Sequence, residues 1–311
     1  MLHLLFPLFS SIVFVIGMMV VKQAITRGAT PWTATLFGNV WIFLFWLGVA
    51  AYRGAVAEPD VWWQAAIVGV LFFLGQVFTY LAFQFGDVSV AAPVMGVKVL
   101  LVATLVAGVT GMTVPARVWL GAALATFGIA LVQMTGRSRK PPDGNALPEA
   151  QPVGPPETST TKTGRSIVLA VIAALSLSVF DVLLQTWGRG QDPLSFLPVV
   201  FFFAALSSCV LLPWTNSPKE LRRLKIVPGM FGGTFLMALQ AMSMSFVLSR
   251  FGDAARVNIV YAMRGLWGVL LAWSLARVFH SGESTASRST MLNRLSGAFL
   301  LTTAVVIALW R

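Results

Sequence analysis

Ten apolar runs, each near the length of a bilayer crossing, follow one another along this 311-residue chain. They are Leu2–Val21, Trp32–Tyr52, Val61–Gln84, Val88–Thr110, Val118–Met134, Ile167–Trp187, Leu194–Leu212, Ile226–Leu248, Ala254–Phe279 and Leu295–Trp310. Crossing the hydrocarbon core as a helix takes about 20 residues. Lipid offers no partner to backbone N–H and C=O groups, so only helices and closed barrels can span it. The strict alternation of a barrel strand is missing here, which makes each run an expected helix. Only 11% of the residues are charged, against about 25% in a soluble domain. Mean hydropathy is +0.80. The expected fold class is an all-α polytopic membrane protein.

The net charge of +11 does not imply nucleic-acid binding. The basic residues are scattered through short connections, and no soluble segment gathers them into a patch. Loop Lys and Arg are what the positive-inside rule expects. Their excess on one set of connections, chiefly in the second half and between residues 136 and 165, would make that segment cytoplasmic and both termini external. One cysteine, Cys209, excludes an intrachain disulfide, and two histidines, His3 and His280, offer no metal cluster. No cofactor is expected. The first run lacks a basic leader and a small-residue cleavage site, and reads as a retained helix.

Residues 136–165 interrupt the apolar series. Pro141, Pro142, Pro148, Pro152, Pro155 and Pro156 fall there with a Ser/Thr run, a composition that resists compact structure. The chain divides into 1–135, a first five-helix repeat; 136–165, a disordered Pro-rich linker; and 166–311, a second five-helix repeat. Three matches in the same order support the duplication. Arg27-Gly28 and Pro31 pair with Arg189-Gly190 and Pro193. Phe85-Gly86-Asp87 through Lys98 pairs without a gap with Phe251-Gly252-Asp253 through Arg264. Gly121 through Gly128 pairs with Gly297 through Ala304. An odd number of crossings per repeat inserts the second copy from the opposite side. The expectation is ten transmembrane helices as two inverted five-helix repeats, the architecture of secondary transporters, with a site near the midplane.

Tyr80-Leu-Ala-Phe-Gln-Phe-Gly-Asp-Val-Ser-Val-Ala-Ala-Pro93, followed by Gly121-Ala-Ala-Leu and Gly128-Ile-Ala-Leu, resembles the drug/metabolite transporter superfamily in its ten-helix, EamA-like form. The resemblance covers essentially the whole chain outside the linker and is clearest over the third to fifth spans. The second half departs at Ile259, where the first has Pro93, and at Ala304, where the first has Gly128. It implies a carrier without naming a cargo. In phosphate-carrying members of the superfamily, basic residues on the fourth and ninth helices hold the anion. Lys98 and Arg264 fall on those helices here.

Three charged side chains lie deep in the spans: Lys98, Asp181 and Arg264. Charge at that depth is costly and marks a functional site by default. Lys98 and Arg264 are expected to meet an anionic substrate between the repeats. Asp181 is expected to act as their counter-ion or as a proton carrier. The competing reading is an ion-paired trio that only holds helices together. Met95 and Tyr261 occupy matched positions one turn before the two cations, and Trp267 shares the Arg264 face. Gln76 and Gln240 are near-equivalent amides on the third and eighth spans, suited to a cavity or to an interhelical hydrogen bond. Gly121, Gly128 and Gly297 suit close helix approach, and Pro93 suits a kink before Lys98.

Neither a phosphate-binding glycine loop nor a nucleophile–base constellation is present in the sequence, so the chain is not expected to be an enzyme or an ATP-driven pump. The leading expectation is gradient- or exchange-driven transport of a small organic metabolite, anionic or zwitterionic because the deep charges sum to +1. Its partners would be that substrate, the lipid bilayer and a coupling proton or counter-ion, with no nucleic acid. Expected placement is the cell membrane, multi-pass. The alternatives are a lipid-carrier flippase gripping a lipid phosphate, and a non-transporting scaffold or sensor.

Overall fold

A computed structural model of the protein describes residues 2–85, 94–111, 113–134, 159–268, 270–271 and 288–310. Of these, 88% are helical and none lies in a strand. Most of the linker, the first Phe-Gly-Asp stretch with Pro93, and the later part of the ninth span lie outside the described residues.

The long helices are α1 (Leu5–Thr26), α2 (Pro31–Arg53), α3 (Trp62–Phe85), α4 (Lys98–Val109), α5 (Ala116–Met134), α6 (Ser159–Arg189), α7 (Pro193–Ser208), α8 (Val227–Phe251), α9 (Ala254–Tyr261) and α10 (Arg288–Leu309). Six helical stretches, those of α1, α2, α3, α6, α7 and α8, are long and apolar enough to cross a membrane. Val94–Val109, Ala116–Val132 and Leu295–Leu309 are shorter apolar helices. The result is a membrane-type helical bundle.

Local chemistry sets several helix boundaries. Thr30 caps α2 by accepting the Thr33 N–H, Pro31 supplies a fixed φ in the first turn, and Gly54 closes the helix at φ 65°. Asn216, on the α7–α8 connection, accepts the Thr30 N–H at 2.6 Å and donates to Gly28 O at 3.3 Å. That fastens the α1–α2 turn to the second half of the chain.

Two expected boundaries differ. The linker was expected to run to Arg165, yet α6 is helical from Ser159. The last proline is Pro156, and nothing beyond it breaks a helix. The ninth span was expected to be continuous from Ala254, yet it turns at Ala262–Met263 before resuming at Arg264. There Met263 N–H bonds to Val260 O and Gly265 N–H to Ala262 O, a local tightening from four-residue to three-residue spacing.

The helices pair α3 with α6 and α7, α1 with α8 and α9, α2 with α7 and α8, α4 with α5, α6 and α9, and α5 with α10. The α5–α10 seam is one of the close backbone approaches in the bundle. A Cβ built on Gly297 would lie 2.8 Å from Gly128 O, and one on Gly128 would lie 3.0 Å from Gly297 O. The small residues singled out in the sequence therefore let two backbones touch, which is how helices pack when lipid gives no hydrophobic drive between them.

Gly297→Val forces a side chain into that contact. It should lower apparent stability by about 1–3 kcal/mol, the usual cost of overpacking. Gly164→Ala, which meets nothing within 4 Å, should not. Thermal unfolding of both variants in detergent checks this.

Candidate functional site

Two polar clusters sit inside the bundle, and both begin with side chains that the hydrocarbon would reject if left alone. The first is ionic. Lys98 opens α4, and its Nζ lies 2.9 Å from Asp181 Oδ2 on α6. The same oxygen accepts Asn258 Nδ2–H from α9 at 2.7 Å. Asn258 also donates to Ala254 O at 2.9 Å. One turn before Asp181, the Ser178 hydroxyl faces Lys98 O and its own helix at Ala174 O. Asp181 and Asn258 are each 2% exposed. Three helices are thus tied at one carboxylate.

The second cluster is neutral on one side and cationic on the other. Asn39 on α2 and Gln76 on α3 pair reciprocally: Asn39 Nδ2 donates to Gln76 Oε1 at 3.2 Å and Gln76 Nε2 to Asn39 Oδ1 at 3.3 Å. With Thr35, Tyr80, Thr234 and Gln240 they line a cavity of about 90 Å³ between α1, α2, α3 and α8. Gln76 lies ~21 Å along α3 and Gln240 ~20 Å along α8, so the cavity reaches mid-helix from the side of Val21, Thr35 and Tyr80, which lie nearer helix ends. Tyr261 OH donates to Gln240 Oε1 at 2.9 Å. That leaves the Gln240 amide N–H groups for the cavity. Behind Tyr261 is Arg264, whose guanidinium carbon lies 4.7 Å from the Tyr261 ring centre and 5.1 Å from that of Phe14. Such stacking suits a guanidinium. No carboxylate pairs with Arg264 among the described residues.

The structure therefore separates the expected residues. Lys98 meets Asp181 rather than sharing a chamber with Arg264, and neither cation lines the polar cavity. Tyr261, Gln240 and Arg264 form one linked set, and Gln76 joins it across the cavity. Trp267 instead donates to Ser11 Oγ at 2.9 Å, bracing α1. Met95 packs against a small core of Ala82 and Ala170, away from the position that Tyr261 holds in the other half.

Asn39, Tyr80 and Phe14 escaped the sequence reading, and a lone amide in an apolar run was the available signal for Asn39. Asn258 is buried on the carboxylate because α9 starts so close to α6: Ala254 N–H donates to Gln185 Oε1 at 2.6 Å. Arg256 pairs with Asp253 at 3.0 Å and donates to Ala308 O at 3.0 Å.

A local kink precedes each deep cation. Val97 N–H bonds to Val94 O just before Lys98, and Met263 N–H bonds to Val260 O just before Arg264. Both are three-residue hydrogen bonds, and in helices such tightening often marks a hinge.

A wider, apolar groove of about 750 Å³ runs between α1, α2, α7 and α8, walled by Leu5, Phe9, Trp46, Leu239, Met242 and Phe246 among others. No charged side chain lines it.

No family model matches the chain, and no curated protein matches it. A solved structure described as "Crystal structure of protein" is similar over 99% of this chain and 96% of its own, at a TM-score of 0.67 and 16% identity. That likeness extends the whole-chain fold to another protein and says nothing of activity.

The ionic cluster has a measurable signature. Removing one partner strands a buried charge, at roughly 3–5 kcal/mol, whereas replacing both with apolar residues is often neutral. Lys98→Met and Asp181→Leu should each destabilise strongly, and the double variant should recover most of the loss in chemical unfolding.

Proposed function

We propose that the chain is a gradient- or exchange-driven, alternating-access carrier of a small anionic or zwitterionic metabolite in the cell membrane, with ten spans in two inverted repeats. The reading places it with the drug/metabolite transporter superfamily that its sequence resembles. The observation that carries it is Arg264: a deep cation without a carboxylate among the described residues, joined through Tyr261 and Gln240 to a polar cavity that reaches mid-helix.

Helix pairing supports the repeat. Exchanging the first five helices with the last five turns α3–α6 into α8–α1, α3–α7 into α8–α2, α4–α6 into α9–α1 and α4–α5 into α9–α10. All of these pairs occur. Several pairs break the exchange, the most extensive being α6 along α8, whose counterparts α1 and α3 make no comparable contact among the described residues. The polar cavity lies where α1 and α3 stand apart. A bundle closed at one matched seam and parted at the other is what a carrier at one end of its cycle requires.

The cavity also favours acceptor-rich cargo. Its free donors are the amide N–H groups of Asn39, Gln76 and Gln240, since the Thr35 and Thr234 hydroxyls already donate to Pro31 O and Met230 O. Its 90 Å³ corresponds to roughly three waters at about 30 Å³ each. Ligand sites span about 300–1,000 Å³, so α1 and α3 must part further to admit a metabolite.

The second reading, a lipid-handling protein, is favoured by the apolar groove between α1, α2, α7 and α8. It is weakened by the absence of a basic residue on that wall to grip a lipid phosphate.

Flux of a panel of small anions into proteoliposomes tests the proposal. Arg264→Gln should slow transport by at least tenfold, since a hydrogen bond to a charged group is worth about 1.5–3 kcal/mol. Gln240→Leu should weaken apparent affinity. Undiminished anion flux in Arg264→Gln would exclude the mechanism, and scrambling of labelled lipid without anion flux would favour the second reading.

A further inference from the structure

Asp181 is held by two donors on one oxygen. Oδ2 takes both the Lys98 ammonium and the Asn258 amide, while Oδ1 accepts no hydrogen bond among the described residues. The two charges differ in access: the Lys98 side chain is 13% exposed and that of Asp181 is 3%. Lys98 also sits on a flexible four-carbon stem with rotatable donors. The lysine is therefore the partner that can be drawn away, and the carboxylate is the one that stays.

We propose that Asp181 is the coupling-proton site of the carrier, loaded when the anionic group of the substrate takes Lys98 from it. The inference rests on the anion-carrier reading above. Its physical core is what becomes of Asp181 without Lys98. Every helix packed on α6 at this level is poor in replacement cations. α3 holds no charged residue between Trp62 and Phe85, and α7 holds none between Pro193 and Ser208. α8 has only Arg250, one residue from its end. α6 itself carries Lys162, Arg165 and Arg189 near its two ends. On α9, Asn258 is neutral and Arg256 is paired with Asp253, and beyond the turn after α9 Arg264 is stacked on Phe14 and Tyr261. An isolated carboxylate in such surroundings neutralises rather than remain charged. The proton comes from the aqueous side and binds to the carboxylate oxygen, and no other bond changes.

Charge balance gives the coupling its direction. The empty site holds Lys98⁺, Arg264⁺ and Asp181⁻, a sum of +1. With a monoanion and a proton bound, the sum is again +1. With the anion alone it is zero, and Asp181 is left unpaired. Anion and proton therefore enter together, and the helices carry the same charge through the membrane region loaded or empty.

Infrared spectroscopy of the full-length protein reads the site without knowledge of the cargo. Lys98→Gln should show a protonated-carboxyl band at neutral pH. Wild type should lack it, and the Lys98→Gln/Asp181→Asn double variant, which restores neutrality, should lose it. If Lys98→Gln shows no such band, or the double variant keeps it, the proposal fails. The second arm uses proteoliposomes with a pH-sensitive dye inside, offered labelled succinate, glutamate and phosphate. Proton influx should accompany anion influx in wild type and vanish in Asp181→Asn relative to whatever anion is carried. Anion influx without protons in wild type would overturn the coupling and leave the carrier standing. Absence of flux for every anion would count against the carrier reading itself, with the infrared band still deciding the site.

Discussion

A charge inside hydrocarbon must be paired, stacked or neutralised, and this bundle uses the first two. Moving an ion out of water costs several kcal/mol even after relaxation. Lys98 and Asp181 offset that cost for each other, with Asn258 filling a further acceptor site on the carboxylate. Arg264 has no such partner among the described residues. It lies on two aromatic faces, an arrangement worth a fraction of a true ion pair. The helix arrangement follows from these two solutions. α4, α6 and α9 converge on the pair, while α1 and α8 supply the ring and the amide around the leftover cation.

Much of the bundle was legible in the sequence because lipid simplifies the problem. Apolar length alone marks a helix when water cannot rescue the backbone, and each expected run that falls in described residues is helical. What the sequence blurred were the ends and the kinks. Helix α6 starts seven residues early because a linker's composition is an average, whereas a helix stops at a particular breaker. The turn at Ala262–Met263 has no proline to announce it. It became visible only through its tightened hydrogen bonds.

The candidate site was legible by type and illegible by pairing. Depth in a span singled out Lys98, Asp181 and Arg264, and composition singled out Gln76 and Gln240. Nothing in the spacing could say that Lys98 would meet Asp181 rather than Arg264, because that depends on how α4 sits against α6. Mirror symmetry suggested that two matched cations do one job. The structure gives them different neighbours, and the matched position to Tyr261, Met95, lies in an alanine-lined core. Two helices of matching sequence share a kink and a basic residue while their surroundings differ.

The strength of packing is uneven in a way that bears on motion. Along α5–α10 the contact is backbone on backbone, Gly128 against Gly297, where neither helix can slide without collision. Around the polar cavity the contacts are an amide pair at 3.2–3.3 Å, one tyrosine hydrogen bond and ring edges. Such bonds re-form with water or a ligand at a net cost near 1 kcal/mol each. The gap between α1 and α3 is therefore the soft part, and the glycine seams α5–α10, α1–α8 and α3–α7 are the frame. The kinks before Lys98 and Arg264 lie on α4 and α9, which join the two: α9 packs on α10 at one side and on α1 at the other, and α4 packs on α5 and on α6. In the proposed carrier cycle, a shift of α1 or α6 would reach the deep charges through those kinked helices first, which places the residues whose pairing that cycle changes beside the elements best placed to change it.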